Sequence, residues 1–264
     1  IRWAVESDDA RSPGPAWGWA GADARCVRVA AATPSDLNKG KAVRASQLRR
    51  LPSDALVSLE LIHELDGDID GFGERFWSRV SAQVPALAAR LGAETPLTAI
   101  TYVDRYLASP LATRLLLAVL EYALTATATP HQSCGITLTT ARLGPSHSSQ
   151  PTKLHHDWQS SSDRVEVMER LFGASLQPCR ISEEDKRELP HARVLSVEWG
   201  DGASVQIRLD HGLGYWRTTW SKPFSFALPT RRQAAELRRA RFGVEPRNDQ
   251  CGTIVYVGEV LLRN

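Results

Sequence analysis

"HARVLSVEWGDGASVQIRLDHGLGYWR" runs from His191 to Arg217. Two alternating apolar runs flank Gly200–Asp201–Gly202, the pattern of two antiparallel strands joined by a tight turn. In the first run His191 and Arg193 stand two apart, and Glu198 follows five positions on. Residues two apart share a strand face, while an interval of seven reverses it unless a bulge intervenes. The sequence therefore predicts that His191 and Arg193 project together, beside Asp104 or Arg105 of a neighbouring strand, and that Glu198 does not touch His191.

Upstream, "TAITYV" (98–103) reads as a buried strand. Ser109 can cap the following helix and Pro110 suits its first turn. That helix is expected over 110–124, with Arg114 and Glu121 on its wet side. "CGITLTT" (134–140) is the next strand, and 143–161 is a long polar loop expected to be mobile. Asp163 is the expected cap of a helix carrying Val165, Met168, Leu171 and Phe172 as its apolar stripe, ended by Gly173. "LQPCR" (176–180) reads as a short strand. After the hairpin, Thr230 and Gln233 have capping-box spacing ahead of an arginine-rich helix. "GTIVYVGEV" (252–260) is the last strand. This order predicts an α/β fold, a mixed sheet flanked by helices, over 97–264.

Residues 1–96 are expected to form an N-terminal α+β region. "ARCVRVA" (24–30) reads as a strand, and "LVSLELIHEL" (56–65) as a strand or a helix. "FGERFWSRVSAQVPALAARL" (72–91) has one broad apolar helical face, in which Pro85 introduces a kink or starts a second helix.

The 264 residues suffice for one large domain or two small ones. No stretch is apolar enough to span a membrane. The chain begins at Ile1, with neither Met nor a signal-peptide pattern, as expected of a piece of something larger. Cys26, Cys134, Cys179 and Cys251 stand far apart, which fits a reducing cytoplasm and neither a zinc site nor a disulfide framework. Net charge is only +2, but basic residues cluster in two runs, 39–50 and 231–241, the second holding five arginines and one glutamate. Such stripes suit a polyanion. "KLHHDW" (153–158), even with His147, matches no metal spacing. "DGDIDG" (66–71) lacks the glutamate of a calcium loop, since Trp77 holds its twelfth position. No phosphate-binding loop of the ATPase type is present. No metal and no cofactor are expected.

"ITYVDRY", with Asp104 and Tyr106, then His191, Arg193, Asp201–Gly202 and "DHGLGYW" occur in an order that resembles the phospholipase D-like C-terminal domain of MIT-domain-containing proteins. The resemblance covers about residues 96–260. "YVDRYLASPL" (102–111) resembles bacterial versions attached to helicases and found in anti-phage defence systems. Active phospholipase D-type enzymes use His-x-Lys-(x)4-Asp, in which the histidine attacks phosphorus, the lysine holds phosphate oxygens and the aspartate orients a histidine. Two such motifs are needed, so one per chain implies a homodimer. Here Arg193 replaces the lysine and can grip phosphate with a fork of donors, while Glu198 replaces the aspartate on the wrong strand face.

The resemblance thus implies a non-catalytic phospholipase D-like domain that binds nucleic acid, DNA or RNA, or acts as a scaffold among the other subunits of a helicase-associated anti-phage complex. His191 and Arg193 are the candidate catalytic pair. Asp104, Arg105, Arg208, Arg217, Arg231, Arg232, Arg238 and Arg239 are the candidate phosphate or nucleic-acid contacts. Two alternatives are a dimeric, metal-independent phosphodiesterase or nuclease and, ranked last, an adaptor for acidic membranes.

Overall fold

The structure, a computed structural model, describes residues 57–93, 95–130, 133–144, 150–176, 178–247 and 252–258. The strand expected over 24–30, the basic run 39–50 and His147 lie outside them.

A seven-stranded mixed sheet carries the fold. Its strands are β1 (Val57–Leu61), β3 (Leu97–Asp104), β4 (Gly135–Ala141), β5 (Cys179–Glu184), β6 (Arg193–Trp199), β7 (Ser204–Leu209) and β10 (Thr253–Val257), in the order β1-β10-β7-β6-β3-β4-β5. β3, β4 and β5 run parallel, and β6 is antiparallel to both β3 and β7. Parallel neighbours need long crossovers, and these supply helices. α3 (Pro110–Ala126) joins β3 to β4, and α4 (Ser161–Gly173) lies between β4 and β5. A second sheet, in the order β2-β9-β8, is built from β2 (Gly67–Asp68), β8 (Trp216–Thr218) and β9 (Gly243–Pro246). α1 (Phe72–Gln83), α2 (Pro85–Leu91) and α5 (Thr230–Arg239) complete the helices.

Strand alternation sorts the main sheet into a dry face and a wetter one. Ile100, Tyr102, Leu195, Val197, Val205, Ile207, Leu209, Val255 and Val257 are buried on the first. On the second, Thr101, Val103, Thr137, Thr139, Val194 and Ser196 are half-exposed. α3 is the central helix: every residue from Pro110 to Leu120 is buried, as expected of a helix enclosed all round. Ser109 accepts from the Ala112 amide at its start. α1 crosses α3 at Gly73, where a Cβ would run into the Ala118 carbonyl, and Trp77 Nε1 donates to Val119 O at 2.8 Å. The β6–β7 hairpin turns through Gly202 at φ +85°.

Several expectations are corrected. Arg114 is buried, 6% exposed, and pairs with Asp70 at 3.0 Å instead of lying on a wet face. One alternative at Pro85 is instead borne out: Val84 separates α1 from α2, and Pro85 starts the second helix. Ser160, not Asp163, caps α4, accepting from the Asp163 amide, and Val165 is only half-buried. β5 begins at Cys179 and extends to Glu184. Thr230 and Gln233 form no capping box, because the cap is Pro229. The Gln233 amide instead donates to Phe226 O and Leu228 O and accepts from Trp158 Nε1 at 3.2 Å. In the loop expected to be mobile, Leu154 and Trp158 are buried, and Leu154 N donates to Lys222 O. Residues 59–96 fall in one compact unit with the residues that follow, Leu59–Asn264.

Arg164 closes the carboxyl edge of the parallel strands. It is 1% exposed, donates to Leu107 O at 3.0 Å and Ala141 O at 2.7 Å, and pairs with Glu183. Removing it strands a partly buried carboxylate and two carbonyls. Arg164→Met is expected to lower stability by about 3 kcal/mol, and so Tm by roughly 6–12 °C. Arg164→Lys, a point charge instead of a fork, should recover less than half. Thermal unfolding checks both; wild-type Tm in Arg164→Met would refute the clamp.

Candidate functional site

β3 ends in a carboxylate. Asp104 follows the alternation of Ile100 and Tyr102 and so faces the dry side, where it is 2% exposed. Three groups meet it. Tyr102 Oη donates to Oδ2 at 2.9 Å, and the Tyr106 amide donates to Oδ1 at 2.7 Å. Arg193 Nε lies 3.7 Å from Oδ1. Register explains the last contact: Val103 pairs with Val194 across β3 and β6, so Asp104 and Arg193 are the next pair out. Burial raises the pKa of Asp104, and its hydrogen bonds and Arg193 only partly offset that. Burial, then the adjacent carboxylate, holds the Tyr102 phenol well above its ordinary range.

Arg193 is committed in several directions. Besides facing Asp104 it donates to Asp210 O, and its guanidinium lies 4.4 Å from the centre of the Tyr106 ring. Asp210 opens the "DHGLGYW" segment, which forms a 3-10 turn at Gly212–Tyr215 and leads into β8. Gly212 sits at φ +61°, and a Cβ there would collide with Arg193 Cδ and approach Asp104 Oδ2 to 3.0 Å. The segment is anchored by Trp216, edge-on to Phe72 at 5.2 Å.

Outside this buried pair lies an exposed shell. Tyr106 is 38% exposed. Arg105 and Lys186 each place their charge 5.2 Å from its ring centre. Arg105 donates to Leu189 O at 3.3 Å, and its buried Nε has no hydrogen-bond partner. Tyr106 Oη meets His191 Nδ1 at 3.1 Å. Among the described residues no three His, Cys, Asp or Glu side chains converge to hold a metal ion.

Asp104, Arg105, His191 and Arg193 are thus brought together around Tyr106. His191 is exposed and precedes β6, which begins at Arg193, so it reaches Tyr106 instead of projecting from a strand beside Asp104. Glu198 is exposed on the face opposite Arg193, Leu195 and Val197, and it makes no hydrogen bond or ion pair with His191. The remaining arginines lie elsewhere. Arg208 projects from β7 on the wetter sheet face, over Tyr256. Arg217 pairs with Glu245 at 2.9 Å in the small sheet. Arg238 turns inward to Leu171 O, Ser175 and Glu121, whereas Arg231, Arg232 and Arg239 are exposed on α5.

Lys186 is the residue that the sequence left hidden. It lies in "EEDKRE" (183–188), where acids outnumber bases, and only the fold turns it toward Tyr106. A separate cleft of ≈ 690 Å³, lined by Pro151, Pro223, Phe224 and Phe226 among others, contains none of the predicted site residues.

Two outcomes test this geometry. Gly212→Ala is expected to cost roughly 2 kcal/mol or more, through positive φ and the clash with Arg193; denaturant unfolding reads it, and an unchanged midpoint refutes the close approach. The second is a pH slope. Asp104's folded pKa exceeds its ordinary 3.8, so the native state binds that proton more tightly than the unfolded chain does. Asp104's contribution to stability therefore falls as pH rises from 3.8 through the raised value, then levels off. Subtracting the unfolding free energy of Asp104→Asn from that of the wild type should give a difference that declines across this window; a rising difference would overturn the assignment.

Comparison with known proteins adds one finding. No curated protein and no solved structure matches. A family model described as the DEAD/DEAH box helicase YjiV, C-terminal domain, matches residues 55–259, which take in β1 to β10 and every side chain of the cluster. The chain therefore belongs to the family of C-terminal domains of the DEAD/DEAH box helicase YjiV.

Proposed function

We propose that this domain is a non-catalytic nucleic-acid-binding module of a helicase, phospholipase D-like in design and serving a bacterial anti-phage complex. The observation that carries the reading is the division of labour at the end of β3. Arg193, the position that would hold phosphate in an active phospholipase D-type site, is turned inward to Asp104, Asp210 and Tyr106. His191 meets a phenol, not a carboxylate. A histidine without an orienting acid is a weak general acid or base, and a nucleophile also needs a held phosphate. What remains outward is an exposed ring with Arg105 and Lys186 beside it, a combination that suits base and phosphate contacts. The helicase family supplies the context for such a ligand.

Filter binding of the full chain to labelled DNA and RNA at two salt concentrations tests the proposal. Two phosphate contacts predict an affinity that falls roughly 7- to 12-fold for a fourfold rise in salt. No binding at low salt would remove the reading. Cleavage that survives EDTA and disappears in His191→Ala would replace it with the nuclease.

A further inference from the structure

We infer that the strand held at this site is single, and that Tyr106 is the platform on which one of its unpaired bases stacks. The inference rests on the binding function just proposed and specifies its ligand.

Tyr106 and Trp220 are the exposed large hydrophobic side chains among the described residues. They differ in how they are held. Trp220, 69% exposed, makes no ring or cation contact with another described residue. Tyr106 is restrained at three points. Its amide is bound to the buried Asp104 carboxylate at 2.7 Å, its hydroxyl meets His191 at 3.1 Å, and the Arg193 guanidinium packs 4.4 Å from its ring centre. Arg193 is itself held by Asp104 and Asp210 O, so the ring's setting traces back to the end of β3. A ring fixed in advance loses little conformational freedom when a base settles on it. The remaining cations are of another kind: Lys186 is exposed, and Arg105 carries a buried Nε with no hydrogen-bond partner. Both stand 5.2 Å from the ring centre, close enough to serve the phosphates that flank a stacked base.

The surrounding charge argues against a duplex. Glu184, Asp185 and Glu188 are exposed, beside Arg187, on the segment that carries Lys186. Among the described residues the positive charge here is therefore local, without the broad basic face that duplex binding through phosphates requires. A duplex also hides its base faces in the stack, whereas a single strand offers them, and base–aromatic stacking is tolerant of sequence.

The test uses the full chain and a labelled mixed-sequence strand of about 16 nucleotides, the upper site size of a comparable binding fold, free or annealed to its complement. The free strand is expected to bind at least tenfold more tightly. Tyr106→Leu should weaken single-strand binding about tenfold, and duplex binding by clearly less. Tyr106→Trp, which restores a ring, should recover most of the loss, which separates stacking from damage to the fold. Lys186→Gln should instead lower the salt slope by about one phosphate contact. Equal affinity for both forms, or wild-type binding by Tyr106→Leu, would overturn the inference while leaving nucleic-acid binding intact. Binding of neither form would remove both.

Discussion

The pairing of Asp104 with Arg193 holds the candidate site together. Each is costly where it stands, since an ion taken from water loses hydration that only good partners replace. Asp104 keeps a backbone amide, a phenol and a guanidinium around it. Arg193 reaches from the first residue of β6 to the turn after β7. One ion pair thereby ties three segments far apart in sequence: the end of β3, the start of β6 and the 210–216 turn. Gly212 belongs to the same constraint, because only a residue without a side chain lets that turn approach the pair. Burial raises the pKa of Asp104 despite those partners, and what the pair visibly gives the fold is position.

Arg164 performs the neighbouring task. Its donors collect Leu107 O, Ala141 O and Glu183 from the carboxyl ends of β3, β4 and β5. Parallel strands leave such ends open, which is where α/β sheets take their ligands. Here Arg164 ties that edge together from inside, and the exposed side chains Tyr106, Lys186 and His191 lie on the segments outside it.

How much of this was legible in the sequence depended on whether the signal was local. β3, the Ser109 cap, the β6–β7 hairpin and the parity that separates Glu198 from Arg193 all follow from spacing over a few residues, and the structure has each of them. Arg114 was placed on a wet face because a charge in a helix is ordinarily solvated; its partner Asp70 is 44 positions away, and no local pattern announces it. Trp158 and Gln233 were read separately, one in a polar loop and one in a cap, though they meet across 75 positions. His191 was extended into the strand because alternation gives a face but not the residue at which a strand begins. Tyr106 stood in a motif, whereas Lys186 was concealed among acids.

Arginines illustrate the same limit in a form that bears on function. Counting them along the chain suggests a wide basic surface. In the folded domain Arg193, Arg217 and Arg238 are engaged with carboxylates or carbonyls of the protein itself, and Arg208 lies over Tyr256. Those that stay exposed on α5 belong to an element apart from Arg105 and Lys186. Paired charges contribute little field at a distance, since each guanidinium is cancelled within a few ångströms and the remainder is screened by salt beyond about 8–10 Å. Among the described residues, then, the arginines do not add up to a long-range basic face. What the end of β3 offers is short in range: a held ring with two cations over it.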